Sequence, residues 1–241
     1  MIIPRLADER GKTHMDWLDS RHSFSFSHYH DPQWMGFGPL RVINDDRFAP
    51  SGGFGMHGHR DMEILTWIIE GRLAHRDSLG NEGEISRDVA QVMTAGRGIR
   101  HSEFNPDPEN SVHLLQIWIE PREPGLEPSY ADRRFDPAAR RNPWDPIASP
   151  DGRGNSVTIQ QDAVVAVCEL DPGKAVAYAL EPGRTAWVQI ARGGARLNDT
   201  LNLDTGDAAA LRDEPRVSLH NGGNTTAEIL LFDLPPQGGA A

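Results

Sequence analysis

The sequence predicts an all-β protein, and three observations carry that prediction. Apolar, β-branched stretches of strand length recur along the chain, among them Ile64-Leu65-Thr66-Trp67-Ile68-Ile69 and Val112-His113-Leu114-Leu115-Gln116-Ile117-Trp118-Ile119. Glycine, proline, asparagine and aspartate punctuate them at short intervals, as turns between strands require. No long apolar stripe repeats at the helical period. A chain of 241 residues, 38% hydrophobic, can build one large or two modest domains, here as barrels or sandwiches.

The elements follow in chain order. The opening Met1-Ile2-Ile3-Pro4-Arg5-Leu6-Ala7-Asp8-Glu9 lacks the apolar run of a secretory signal. Residues 17–46 are aromatic-rich and broken by Pro32, Gly36, Gly38 and Pro39, which predicts short strands joined by turns. His28 and His30 lie there, but Asp31-Pro32 follows at once, so they read as surface or structural residues. Gly52, Gly53, Gly55 and Gly58 surround His57 and His59, and a buried strand closing at Glu70-Gly71 comes next. Residues 72–88 alternate polar and turn residues, as in an exposed hairpin, and residues 89–93 read as a strand. His113 sits in a strand expected to line the barrel, whereas His14, His22 and His75 are isolated and read as structural or exposed.

Seven prolines among charges mark residues 121–150 as a connector, with one short helix expected near residues 130–134. The plan of the first half then returns. Ala186-Trp187-Val188-Gln189-Ile190-Ala191-Arg192-Gly193 echoes residues 64–71, and residues 227–235 echo residues 114–121, a divergent internal duplication. Histidine is missing between His113 and His220, so the second half is expected to carry no metal. The resulting division is 1–122 for a metal-binding domain, 123–156 for the connector, 157–236 for a second, metal-free domain and 237–241 for a disordered tail.

Two stretches carry the chemistry: Gly55-Met56-His57-Gly58-His59-Arg60-Asp61-Met62-Glu63 and Gly96-Arg97-Gly98-Ile99-Arg100-His101-Ser102-Glu103-Phe104-Asn105. On a strand, residues two apart share a face, so His57 pairs with His59 and His101 with Glu103; on a helix the same spacing separates them. One such histidine pair is weak evidence. Two strands offering three imidazoles and one carboxylate form a donor set suited to a first-row transition metal, the competing reading being a buried polar network. Up to two positions of a six-coordinate ion then stay open.

These stretches resemble the two motifs of the cupin superfamily, with Gly96 where the second motif carries proline. Within it the chain is similar to the pirin family, through Trp17-Leu18-Asp19-Ser20, Phe24-Ser25-Phe26, Asp31-Pro32, Met35-Gly36-Phe37, Leu40-Arg41-Val42-Ile43-Asn44-Asp45-Asp46 and Gly98-Ile99-Arg100-His101-Ser102-Glu103. The resemblance implies a bicupin: two β-barrel, jelly-roll-like cupin domains. In many cupins Glu63 would be a ligand; the pirin pattern implies instead His57, His59, His101 and Glu103, leaving Glu63 structural or set behind the ligands. It further implies a dioxygenase that opens the heterocyclic ring of flavonols such as quercetin and releases carbon monoxide. Iron is the implied metal, with zinc, nickel, cobalt, manganese or copper also able to bind. Glu103 would then be both ligand and the base that takes the flavonol 3-hydroxyl proton. The alternative is a non-enzymatic, metal-binding regulator that acts through a protein partner, as eukaryotic pirins are thought to do with transcription factors.

Composition narrows the partners. A net charge of −11 opposes direct nucleic-acid binding, and no segment is apolar enough to span a bilayer. The lone Cys168 lies in an apolar run, reads as a small buried hydrophobe and, having no partner for an internal disulfide, points with the N-terminus to the cytoplasm; the chain is expected to be a monomer. The expected partners are a small phenolic substrate and dioxygen.

Overall fold

The computed structural model describes residues 1–236, and they form two compact units. The tail expected to be disordered, 237–241, lies outside the described residues. No helix of the described chain is long and apolar enough to cross a membrane.

One unit, the site unit, spans Gly11–Phe135 and Val157–Gln161. After β1 (Ile2–Arg5), which belongs to the other unit, it runs through β2 (Gly11–His14), β3 (Leu18–His22), β4 (Leu40–Phe48), β5 (Gly53–His59) and β6 (Glu63–Glu70). It continues with β7 (Arg72–Asp77), β8 (Glu82–Ser86), β9 (Val89–Thr94), β10 (Ile99–Phe104), β11 (Val112–Ile119) and β12 (Ser129–Arg134). A seven-stranded sheet has the order β12-β9-β6-β11-β4-β3-β2, and a four-stranded sheet the order β5-β10-β7-β8. All neighbours pair antiparallel. The centre of the larger sheet, β6, is buried on both faces over Glu63–Ile69, which is why its sequence runs apolar without alternating.

Alternation returns where one face meets solvent. In β7, Leu73, His75 and Asp77 are buried while Arg72 and Arg76 are exposed. The hairpin expected to be exposed is therefore exposed on one face only, and Leu73 and Ile85 join a core with Leu18, Phe48, Ile68, Val89, Val112 and Leu114. Its turn is held by the Asp77 carboxylate, which accepts from the backbone of Leu79 and Asn81 and from Asn81 Nδ2, at 2.8–2.9 Å. A second apolar cluster gathers Ile64, Met93, Ala95 and Ile99.

The helix expected near residues 130–134 is a strand instead. Residues Ser129–Arg134 pair with Val89–Thr94 as the edge of the larger sheet, and that ladder satisfies the backbone of a segment too polar to show a strand pattern. The compact units also divide the chain elsewhere than the sequence led one to expect. The site unit runs on to Phe135 because β12 pairs with β9, and residues 1–10 fall in the other unit because β1 pairs with the strand Ala208–Leu211.

That second unit comprises Met1–Arg10, Asp136–Ser156 and the chain from Asp162 onward. After β13 (Asp145–Ser149), and β14 (Val157–Thr158) of the site unit, come β15 (Val164–Leu170), β16 (Ala175–Ala179), β17 (Thr185–Arg192) and β18 (Gly194–Leu197). The last are β19 (Leu201–Asp204), β20 (Ala208–Leu211), β21 (Arg216–His220) and β22 (Ala227–Leu234). The duplication read from sequence is visible in the strand order. The run β1-β20-β17-β22-β15-β13 matches β12-β9-β6-β11-β4-β3, and β16-β21-β18-β19 matches β5-β10-β7-β8.

The matched strands differ in what they point inward. Where β5 and β10 carry histidines and a glutamate, β16 and β21 carry Val176, Tyr178, Val217 and Leu219, packed in an apolar core with Val188, Leu203 and Ile229. Cys168 belongs to the same core, fully buried, and burial pushes its thiol up to about 12.

Candidate metal centre

The site is built on β5 and β10. Their register sets His57 opposite His101 and His59 opposite Ile99, then slips by one residue so that Glu103 faces Phe54. This irregularity, within Phe54–His57, re-aims the side chains in the manner of a β-bulge. Two glycines make the close approaches possible. A Cβ on Gly53 would lie 2.2 Å from the Glu103 carbonyl oxygen; Gly96 has φ +46°, and its Cβ would lie 2.0 Å from the Leu126 carbonyl oxygen. The structure thus explains why a glycine stands at Gly96.

His57, His59 and His101 come together with ligand atoms within 4.8 Å of one another. Their ring centroids are 4.4 Å apart for His57 and His101, 4.7 Å for His57 and His59, and 4.9 Å for His59 and His101. His57 donates from Nδ1 to the Gly55 carbonyl oxygen at 2.8 Å, a bond that fixes the tautomer and leaves the Nε2 lone pair available to an ion. The Trp118 ring stands edge-on to His59 at 4.8 Å.

Glu103 and His101 are buried, and Glu103 shares a second group within 4.8 Å with His101 and His75. Gln116 donates from Nε2 to Glu103 Oε2 at 2.8 Å, and Thr66 bonds the Gln116 amide oxygen at 3.4 Å. Burial pushes the Glu103 carboxyl up to about 7, against the opposing hydrogen bonds of Gln116 and Thr66. The histidines move the other way. Burial and then the neighbouring His57 hold His59 down to about 4, and burial followed by three neighbouring histidines holds His101 down to about 2. These rings are neutral at pH 7, the form in which imidazole binds a metal.

The donor set fits a divalent transition metal by an observation independent of spacing. Both ring nitrogens of His101 are buried without a hydrogen-bond partner, an expensive arrangement that an ion beside His57 and His59 would relieve at one of the two.

His57, His59, His101 and Glu103 all line one cavity of about 230 Å³, whose other wall comes from the larger sheet: Ser20, His22, Asn44, Asp46, Gln116 and Trp118. Glu63 lies outside that lining. Its Oε2 accepts from Thr94 Oγ1 at 3.0 Å and from the Gln160 backbone amide at 3.2 Å. His113, on a strand that does line the cavity, alternates away from Gln116 and bonds Asp45 Oδ1 through Nε2 at 2.6 Å. His28 and His30 are not among the cavity-lining residues.

Sequence reasoning missed His75 and the polar residues of the larger sheet. His75 is buried opposite Glu103, stacked on Tyr130 at 4.9 Å and 5.4 Å from the His101 ring, with the Asp77 carboxylate 3.5 Å from its Nε2. Nothing in Arg72-Leu73-Ala74-His75-Arg76-Asp77 marks it beforehand, because its place depends on β7 pairing with β10.

Comparison with known proteins agrees with this architecture. A family model described as Pirin matches residues 5–119, and one described as Quercetinase C-terminal cupin domain matches residues 146–234. A protein of Escherichia coli (strain K12) named quercetin 2,3-dioxygenase is 43% identical over 236 residues, covering 98% of this chain and 100% of its own. The chain belongs to the pirin family. Its fold is that of a bicupin, two β-rich cupin domains in tandem. A pirin-like protein of Caulobacter vibrioides is 37% identical, with 97% of this chain and 99% of that one covered. The crystal structure of YhhW from Escherichia coli superposes with a TM-score of 0.94 at 42% identity, both chains covered in full. The same bacterial pirin in complex with nickel(II) gives a TM-score of 0.92 at 42% identity, covering 98% of this chain and 100% of that one.

Proposed function

We propose that the protein is a metal-dependent dioxygenase that opens the heterocyclic ring of flavonols such as quercetin with release of carbon monoxide, and that His57, His59, His101 and Glu103 hold the metal. The observation that carries the reading is a buried imidazole with both nitrogens unpaired, His101, set among two further histidines and Glu103 in one cavity. The Escherichia coli relative's name supports the activity, and the nickel(II) complex of YhhW supports a divalent ion; iron is the native metal in this reading. When bound, the ion supplies Lewis acidity and open positions for substrate oxygen and dioxygen.

This chain's own residues do the rest. His57 is held in the metal-binding tautomer by the Gly55 carbonyl. Glu103, buried beside the histidines and held by Gln116, stands where it can take the 3-hydroxyl proton, the task of a general base within hydrogen-bond reach. Gln116 orients that carboxylate and favours its ionised form. Phe26, Phe54 and Trp118 offer aromatic surface to a planar substrate. The regulator reading is the weaker one, because relatives matching nearly the whole chain carry an enzyme's name.

Aerobic incubation of the iron-loaded protein with quercetin tests the proposal. Flavonol absorbance falls and one carbon monoxide is released per quercetin consumed; unchanged absorbance at full iron loading refutes it.

A further inference from the structure

The larger sheet of the site unit carries a polar row on its cavity side. Register places His22 opposite Asn44, Asn44 opposite Gln116, and Gln116 opposite Thr66 across β3, β4, β11 and β6. Two residues along the strands, Ser20 faces Asp46. Polar groups in such a wall are costly unless paired, and most of these are paired. His22 Nδ1 lies 2.7 Å from Asn44 Oδ1 and its Nε2 lies 2.8 Å from Thr13 Oγ1. Gln116 is spent on Glu103 and Thr66.

Asp46 differs. It is 3% exposed and lines the cavity, its carboxyl takes a hydrogen bond from the Ser20 side chain, and its Oδ1 has no hydrogen-bond partner. Burial pushes this carboxyl up to about 7, with Ser20 opposing and the charges of Asp45, Glu103 and Asp19 adding to the rise. Near neutral pH the group can therefore both accept and donate. Around it the cavity is largely apolar, with Leu18, Phe26, Phe54 and Trp118 among its walls. An apolar slot with a few fixed polar groups is the usual form of a small-molecule site.

We propose that Asp46, seated by Ser20, is a substrate-binding and specificity-determining residue whose buried, incompletely paired carboxyl hydrogen-bonds a phenolic hydroxyl of a polyhydroxylated aromatic substrate, from the cavity wall that carries none of the histidine cluster. The inference rests on the dioxygenase reading and adds to it a second point of recognition, on the sheet that carries none of the metal ligands. A buried group built to pair with a hydroxyl discriminates against analogues that lack it, because it is then left unpaired. The site therefore selects for hydroxylation beyond the 3-hydroxy-4-keto pair.

The test uses the metal-loaded full chain and two probes, quercetin and 3-hydroxyflavone, which share that pair but differ in every other hydroxyl. Replacing Asp46→Leu keeps the branched shape and heavy-atom count and removes the hydrogen bond, so the ratio of kcat/KM for quercetin to that for 3-hydroxyflavone falls about 10- to 100-fold, chiefly through the KM for quercetin. Asp46→Asn, which keeps an acceptor and a donor, restores most of the ratio. Ser20→Ala lowers it in the same direction and serves if Asp46→Leu does not fold. A ratio unchanged in the variants, or equal losses for both flavonols with no rescue by asparagine, overturns the proposal. Fluorescence titration separates the two readings. Tight quercetin binding without turnover, weakened by Asp46→Leu, sinks the dioxygenase reading and leaves Asp46 as a binding residue; a wild type that binds neither flavonol overturns both.

Discussion

Glu103 is a buried acid whose proton is held far more tightly in the folded chain than in the unfolded one, and removing it changes stability in a pH-dependent way. Its carboxyl moves from 4.5 to about 7 on folding, at 3% exposure. Between those values the native state binds more protons than the unfolded state, so stability is present at low pH and is lost as pH rises through 7. Integrating the linkage, the carboxyl costs about 1 kcal/mol at pH 5 and roughly 3.5 kcal/mol at pH 8, a difference of about 2.5 kcal/mol. Glu103→Gln abolishes the titration while keeping an oxygen for the Gln116 donor. In metal-free protein, urea unfolding at pH 5 and pH 8 therefore shows the variant gaining about 2.5 kcal/mol on the parent between the two conditions. Comparison of the two proteins cancels His59 and His101, which act in the opposite direction: their lowered values make the unfolded state the better proton binder, so their contribution is lost as pH falls below 6.5. A gap between variant and parent that is the same at both pH values refutes the assignment of Glu103 as a carboxyl shifted by burial.

Three further outcomes follow from the site. Metal analysis gives one transition metal per chain, and His57→Ala with His59→Ala removes two of the four proposed ligands and leaves less than about a tenth of an equivalent; a full equivalent retained contradicts the site. Dialysis against chelator at about pH 4 strips the metal, because protons there compete for the Glu103 carboxyl, pushed up to about 7, and for His59, held down to about 4; retention contradicts an open site of these ligands. Glu103→Gln keeps most of its metal but lowers flavonol turnover by about 100- to 10,000-fold, the contribution of a general base, whereas Glu63→Gln costs much less; the reverse order of effects returns Glu63 to the ligand set.

How much of this could be read beforehand depended on distance along the chain. His57 with His59, and His101 with Glu103, were visible because period two acts within a single strand, and the structure does bring the three histidines together. His75 and Asp46 were not visible. Their place depends on β7 pairing with β10 and on β3 and β11 flanking β4, registers set by packing between segments far apart in sequence. The same limit explains β12, where Ser-Tyr-Ala-Asp-Arg-Arg has no strand pattern of its own and takes its conformation from β9. The duplication was legible because its most buried strands, β6 with β17 and β11 with β22, keep their apolar runs for packing. Its consequence was legible too: a second set of strands without the histidine pair, filled with Val176, Val217 and Leu219.

The most direct test of the central claim is the fate of labelled dioxygen. Iron-loaded protein turning over quercetin under ¹⁸O₂ places both labelled atoms in the ring-opened product and none in the carbon monoxide, since a dioxygenase delivers both oxygen atoms to its substrate. Product carrying one labelled atom or none, or quercetin consumed without carbon monoxide, contradicts the account.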